Sequence, residues 1–464
     1  MRAIAVVGGG ITGLAAAVRL REQAPADTRV IVFEESAALG GKLRTGEFAG
    51  GVLERGAEAF LTRDATGGDS PALALARRVG LGDALTHPAT TRAAIAVDGR
   101  LVPVPPGTLL GVPADPTRVA AIARVETDRD RDEGRPLLEP DEDVAVGALV
   151  RRRFGDEVVD RLVDPMLGGV YAGRADHLSL AATMPGLARS ARTHATLRAA
   201  VQAAQAAAPR ATGPVFTTVI GGLTRLVEAA AAASGAEVRC GAAVRELRPT
   251  PTGWRLVVEA ADTELVDVDA VILAVPARAA AQLVAGVDAV AAGQIGAVDY
   301  ASMALVSLAL PGLVLPELSG FLVPAVEGRL VKAATFFSTK WTHLRRDDGI
   351  VMVRASIGRY GEERVLERDD EELVAAVRRE IAELVGVPVP TPVATHVQRW
   401  SGALPQYPPG HVARVASARE RLRAAHPTLA LAGAAFDGVG IPLCVRSGES
   451  AAEQILSALK GVAR

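Results

Sequence analysis

The chain opens with an unbroken apolar run over residues 3–7, Ala-Ile-Ala-Val-Val, in which no polar position marks a solvent face. Such a run reads as a strand buried on both sides, the habit of a parallel sheet. Residues 11–22 then repeat apolar positions at helical spacing, and residues 29–33 (RVIVF) give a second buried strand. Strand, helix and strand in that order predict a βαβ unit and a doubly wound α/β sheet. Residues 45–53 read as a hairpin, and 70–79 as a helix started by Ser70-Pro71. Residues 93–97 and 101–104 read as a hairpin turned at Asp98-Gly99. From about 105 to 209 strand signals fade. Helices are expected over 117–124, 144–154, 156–168 and 193–207, with the glycine-rich segment 168–173 interrupting them. Beyond 215 the strand pattern returns (215–220, 237–239, 244–247, 254–259, 264–268, 270–274, 303–310, 320–323, 329–336, 350–357, 393–400, 429–433). Helices are expected there over 223–234, 369–385 and 447–459.

The turn between the first strand and helix is Gly8-Gly9-Gly10-Ile11-Thr12-Gly13. Gly8 makes the tight turn, Gly10 lets backbone approach a pyrophosphate, and Gly13 lets the helix lie close on the sheet. The helix start offers free N–H groups and partial positive charge to that pyrophosphate. Glu34, at the end of the second strand with Glu35 after it, falls where a ribose 2′-hydroxyl would sit. A carboxylate there repels a 2′-phosphate, so the unit predicts FAD or NAD, not NADP.

Near the other end, Gly438-Val439-Gly440-Ile441-Pro442 follows a strand and opens the last helix. This second glycine turn aims another helix N-terminus inward, a dipole suited to the negative charge of a reduced flavin. Both ends of the chain are thereby expected in one domain. The segment Leu39-Gly40-Gly41-Lys42, read alone, is either a loop wrapping the diphosphate or an ordinary turn.

Composition narrows the class. A chain of 464 residues, 49% hydrophobic, is enough for a large core in several domains. The net charge of −2 gives no field for nucleic acid or anionic lipid. Cys240 and Cys444 are the only cysteines, which excludes a disulfide framework and an iron–sulfur cluster. None of the seven histidines has metal-ligand or triad spacing, so no metal is expected. Without a signal peptide or an apolar run of about 18 residues, the expected location is the cytoplasm. The charge run 126–135 reads as a solvated loop.

The motifs together resemble the flavin-dependent porphyrinogen oxidases, within the amine-oxidase and phytoene-desaturase superfamily. The superfamily likeness lies in GGGITGLAAA (8–17), EES (34–36), LGGKLRT (39–45), VIGGLTRLVEAA (219–230), VILAVPA (271–277) and GVGIPLCVRSGESAA (438–452). The porphyrinogen branch is carried by RGAEAFLTR (55–63), the long block 152–180, TFFSTKW (335–341) and VQRWSGALPQYPPGH (397–411). The resemblance implies noncovalent FAD: Gly8–Gly13 at the diphosphate, Glu34 at the ribose, with Glu35 and Lys42 nearby. It places Gly56, Ala57, Glu58 and Ala59 along the flavin, Val244 at the adenine, and Trp400, Val439, Gly440 and Ile441 around the isoalloxazine. Ala57 and Ala59 depart from the usual residues of that loop. Cys444 lacks the context of a covalent flavin attachment and reads as core.

The resemblance further implies stepwise oxidation of a porphyrinogen in haem biosynthesis. Hydride passes from a meso carbon to flavin N5, a pyrrole proton leaves to solvent, and O2 becomes hydrogen peroxide. No catalytic acid or base is assigned. Arg92 stands where the family pairs a propionate, with a solvated arginine as the other reading. Arg63 is a second anchor, and Gly169 and Gly173 floor the slot. Lys332 and Lys340, in strand-like segments, are the lysines available for a place beside N5 that the superfamily sometimes fills. Coproporphyrinogen III, as in Gram-positive bacteria, is the expected substrate, with protoporphyrinogen IX as the alternative and ferrochelatase as a partner. An amine oxidase or carotenoid desaturase, or a flavin or porphyrin carrier without activity, are the other classes; 3% aromatic residues speak against an aromatic cage. The expected architecture is α/β and amine-oxidase-like. It has a Rossmann-type FAD domain (1–70, 214–290, 392–464), a mixed-sheet substrate domain (71–104, 291–391) and an inserted helical domain (105–213) touching a membrane at most peripherally.

Overall fold

The structure, a computed structural model, describes residues 2–209 and 213–462. Residues 1, 210–212 and 463–464 of the expected domains lie outside the described residues. Five parallel strands form the first sheet, in the order Glu237–Cys240, Arg29–Glu34, Ala3–Val7, Ala270–Leu273 and Leu429–Leu431. The opening apolar run is buried on both faces, as its lack of alternation predicts. Ile4 and Val6 pack with Leu20, Ala452 and Ile455, while Ala5 and Val7 pack with Phe33, Trp254 and Leu256. The helices Ile11–Gln23 and Ile441–Val462 thus cover one side, and the antiparallel meander Ala243–Thr250, Gly253–Glu259, Thr263–Val268 the other.

A second, seven-stranded sheet runs Ala394–Pro405, Tyr300–Pro311, Ile350–Ile357, Val331–Phe336, Gly320–Leu322, Ala93–Val97 and Arg100–Pro103. It is mixed, because Gly320–Leu322 pairs with Ala93–Val97 in parallel while its other pairings are antiparallel. One face buries Ala334, Phe336, Val353 and Ile357 under the helix Asp370–Val385. The other turns toward the glycine loops and the helical layer. That layer packs Val146–Phe154, Asp164–Tyr171, Pro185–Ala191 and Leu197–Ala207 around Phe154, Leu162, Leu187 and Val201.

Three expectations need correcting. Residues 117–124 do not form an α-helix, only the 3-10 turn Pro116–Val119, because Val119, Ile122 and Ala123 reach the core from a turn and leave no long apolar face. Gly168 and Gly169 do not break the helical region. They lie inside Asp164–Tyr171, and the break falls at Ala172, whose φ of 50° is left-handed. Ahead of that helix the chain widens into a π turn, Val159–Val163, where Pro165 has no N–H to continue the regular ladder. The terminal helix starts at Ile441, earlier than Ser447, since Pro442 is tolerated in a first turn.

His411, at the start of His411–Ala425, is buried beside Tyr407, ring centroids 4.6 Å apart. Its imidazole is pushed down to about 4, chiefly by burial, with Arg414 adding to it and Asp143 and Asp437 opposing. The unfolded chain protonates this group near pH ~6.5, so the stabilisation it allows is whole above that pH and lost as pH falls. Urea unfolding of wild type and His411→Gln at about pH 7.5 and about pH 5 should show the variant losing about 2 kcal/mol less on acidification. Equal losses would refute a buried neutral imidazole.

Candidate functional site

The site begins at the carboxyl ends of the parallel strands. Gly8 has φ 110°, donates to Phe33 O at 2.7 Å, and a Cβ on it would stand 2.4 Å from Ala274 O. A Cβ on Gly13 would stand 2.0 Å from Gly8 O, so the helix rests on the turn itself. Gly10 differs: its Cβ would meet nothing within 4 Å. The turn therefore holds open space at the one glycine whose expected neighbour is a diphosphate. Glu34 is oriented by Gly9 N (2.8 Å), Ser36 N (2.9 Å) and Ser36 Oγ (2.6 Å). A carboxylate has about four acceptor positions, so one remains for a ribose hydroxyl. Glu35 is exposed beside it, and Ala242 N donates to Glu34 O (2.9 Å), which brings Val244 to the same end.

The two glycine turns, far apart in the chain, meet. A Cβ on Gly448 of the terminal helix would stand 2.0 Å from Thr12 O. Ile11, Ile441 and Cys444 share one core with Leu43 and Ala57. Val439 packs on the helical layer from the same turn, and Cys444 N donates to Gly440 O at 3.0 Å.

The loop after Glu34 closes over this centre. Gly40 N donates to Gly9 O (2.9 Å), and Ala57 N to Lys42 O (3.2 Å). A Cβ on Gly56 would lie 2.0 Å from Lys42 O and 3.4 Å from the Trp400 ring, while Trp400 Nε1 donates to Arg55 O at 2.7 Å. Lys42, Gly56–Ala59 and Trp400 are therefore one surface. Arg354, which sequence reasoning missed, fixes it from the second sheet. Its guanidinium donates to Glu54 O (2.8 Å), Gly56 O (2.9 Å) and Glu58 Oε2 (2.6 Å). Lys340 pairs with the other oxygen of Glu58. Burial alone would raise the Glu58 carboxyl, but Lys340 and Arg354 hold it below the usual range. The neighbouring Glu54 is pushed up to about 7, mainly by burial, against donors at Leu223 N (2.6 Å) and Thr45 Oγ1 (3.1 Å).

The expected slot residues separate. Gly169 lies exposed on the last turn of its helix, where a Cβ would come within 3.3 Å of Leu322. Gly173 is buried and does not face open space, since a Cβ there would collide with Gln406 Oε1 at 2.3 Å. Its lack of a side chain serves packing. Arg92 is exposed at the head of Ala93–Val97, its carbonyl taking Ser319 N (2.7 Å) and Ser319 Oγ (2.9 Å). Arg63 instead pairs with Asp69 at 2.8 Å on the surface. No cluster able to hold a metal occurs among the described residues.

A strand–glycine–helix turn, an acid at the second strand and a second helix start converging on them define a dinucleotide-dependent oxidoreductase. Residues 11–456 match the family of flavin containing amine oxidoreductases, and the chain belongs to that family. Over 99% of this chain and 98% of the relative, it is 38% identical to the coproporphyrinogen III oxidase of Mycobacterium tuberculosis (strain H37Rv). Identity is 30% to the enzyme of that name in Bacillus subtilis, covering 98% of both chains, and 28% to a Bos taurus protoporphyrinogen oxidase at the same coverage. Among solved structures, a candidate protoporphyrinogen oxidase of Exiguobacterium sp. 255-15 superposes with TM-score 0.83 at 28% identity, covering 98% of this chain and 99% of that one. Cyclohexylamine oxidase of Brevibacterium oxydans shares the fold, with TM-score 0.72 at 19% identity over 99% of both chains. Membership brings a flavin, and the open cradle at Gly10 beside Glu34 fits one.

Proposed function

We propose that the protein oxidises coproporphyrinogen III to coproporphyrin III in haem biosynthesis, using noncovalent FAD and O2 and releasing hydrogen peroxide. The observation that carries this reading is the 38% identity, along nearly the whole chain, to a coproporphyrinogen III oxidase. Gly8–Gly13 and the start of the first helix would hold the diphosphate, Glu34 the ribose, and Val244 the adenine. Lys42, Gly56–Ala59, Trp400 and Val439–Ile441 would border the ring. A noncovalent flavin is supported at Cys444: the residue is buried and its thiol is pushed up to about 11 by burial, so it is no thiolate nucleophile.

When bound, the flavin supplies the hydride acceptor and the route for electrons to O2. The chain's own work is to bind and orient. Gly169 lets its helix turn lie close against Leu322, and Arg92 at the strand head takes a propionate. The first turn of the terminal helix favours negative charge on the ring beside it. The pyrrole proton leaves to solvent, so no side chain is required as base. The segments 1–70, 214–290 and 392–464 would form the FAD domain, 71–104 and 291–391 the substrate domain, and 105–213 the helical one. No helix among the described residues is long and apolar enough to cross a membrane. With two free cysteines the protein suits the reducing cytoplasm, where ferrochelatase chemistry would follow.

Anaerobic addition of coproporphyrinogen III to the purified protein should bleach its flavin absorption, and air should restore it with release of peroxide. A clear preference for protoporphyrinogen IX in kcat/KM would overturn the substrate. No bleaching with either would overturn the reaction class.

A further inference from the structure

The parallel sheet ends at Leu429–Leu431, an edge strand paired only with Ala270–Leu273. Such an edge leaves backbone groups without ladder partners. Side chains from two helices reach it in place of a further strand. Arg419 of His411–Ala425 donates to Leu431 O (3.0 Å), and Gln454 of Ile441–Val462 donates to Leu429 O (3.4 Å). The first helix packs Val415, Ala418 and Leu422 against one face of the sheet, and the second packs Ala451, Ala452 and Ile455 against the other. They therefore stand apart across the edge, and a cleft of about 270 Å³ lies between them.

Three arginines line this cleft, Arg419, Arg423 and Arg446, against one carboxylate, Asp437. That carboxylate is already committed. Arg419 donates to both its oxygens (2.8 and 2.5 Å), and the Ser447 hydroxyl donates to it from the terminal helix. Burial would raise the Asp437 carboxyl, but Arg419 and Ser447 hold it below its ordinary value, so its charge stays with them. Arg423 lies one turn beyond Arg419, and Arg446 stands on the opposite wall; neither makes an ion pair among the described residues. Arg421, two residues from Arg423 and outside the cleft, does pair, with Asp288 at 3.0 Å. Asp64 feels Arg446 only from a distance. Its carboxylate accepts from Thr66 N (2.8 Å), Thr66 Oγ1 (2.7 Å) and Gly68 N (3.2 Å).

Two guanidiniums without counter-charges thus share one concavity, where the walls concentrate their field. Guanidinium is weakly hydrated and its fork matches an oxyanion in paired hydrogen bonds. Ser450, one turn after Arg446 and also on the lining, adds a hydroxyl donor with no protein partner among the described residues. We infer that the cleft binds a phosphate group, held between Arg423 and Arg446 with Ser450 beside them. A dianion matches the charge excess of the lining. The volume falls below the range of about 300–1,000 Å³ that takes a drug-sized ligand, which suits inorganic phosphate or a small phosphomonoester. None of the lining residues belongs to the set assigned to the flavin or the porphyrinogen, so the inference stands apart from that reading.

Isothermal titration of the holoenzyme with inorganic phosphate, in chloride buffer at constant ionic strength, tests the site. Saturable binding of one phosphate per chain is expected, with a dissociation constant of about 1 mM or below. Arg423→Gln and Arg446→Gln should each weaken it at least about 10-fold, the loss of a charge-assisted bond. Both side chains are exposed, so the thermal midpoint of the variants without phosphate should match wild type. Phosphate should raise the wild-type midpoint by mass action and leave that of the double variant unmoved. A parallel titration with glycerol 3-phosphate separates the sources: tighter binding of the ester assigns the cleft to a small metabolite, tighter binding of phosphate to the free ion. No saturation in the millimolar range would overturn the site. So would undiminished binding by the double variant, or a midpoint rise equal in both proteins, which is a general salt effect.

Discussion

Gly10→Val is expected to give a folded but colourless protein. Gly10 has φ −74° and ψ 174°, an extended conformation open to any residue, and its Cβ would meet nothing within 4 Å. The apoprotein can therefore house the side chain, which would occupy the diphosphate's place. Affinity for FAD should fall at least about 100-fold, near 3 kcal/mol. Gly13→Val provides the contrast: its Cβ would lie 2.0 Å from Gly8 O, so the helix must leave the turn and the fold should fail. The checks are visible absorbance after reconstitution and the thermal midpoint. A yellow Gly10→Val protein would move the cofactor away from this turn.

Glu58→Ala should cost about 3–5 kcal/mol of stability, because it strands two cations in a nearly dry place. Lys340 and Arg354 have side chains only 17% and 10% exposed, and Glu58 is the shared counter-charge. The same change frees the loop that Arg354 ties through Glu54 O and Gly56 O, so flavin retention should weaken with stability. Adding Lys340→Met should recover part of the loss, since it removes one stranded charge. Urea unfolding of the four combinations separates these effects. A Glu58→Ala protein within about 1 kcal/mol of wild type would show that water already screens the cluster.

The half of the site proposed for the flavin stands out in the sequence because its chemistry is local. An apolar pentapeptide, three spaced glycines and an acid at the next strand end need only 34 residues to be read, and the turn at 438–441 is as compact. The second half was less so. Arg354 reaches partners 296 to 300 residues away, and nothing in the alternation of Ile350–Ile357 sets it apart from a solvated arginine. Gly168 and Gly169 suggested a break since glycine costs a helix about 1 kcal/mol relative to alanine. Packing of Asp164, Pro165, Leu167 and Tyr171 into the helical layer outweighs that cost. Gly173 was read as part of a floor, but its missing Cβ answers to Gln406 across the fold.

The meeting of Thr12 with Gly448 also bears on the order of events at the ribosome. The first half of the cradle emerges early, yet the turn that completes it follows more than 400 residues later. At ordinary elongation speeds of about 5–20 residues per second, the nascent chain waits roughly 20–90 s with an unfinished cradle. Loading of a flavin at this cradle would then be one of the last steps in its biogenesis, and a chain that ends before that turn is expected to lose the cofactor.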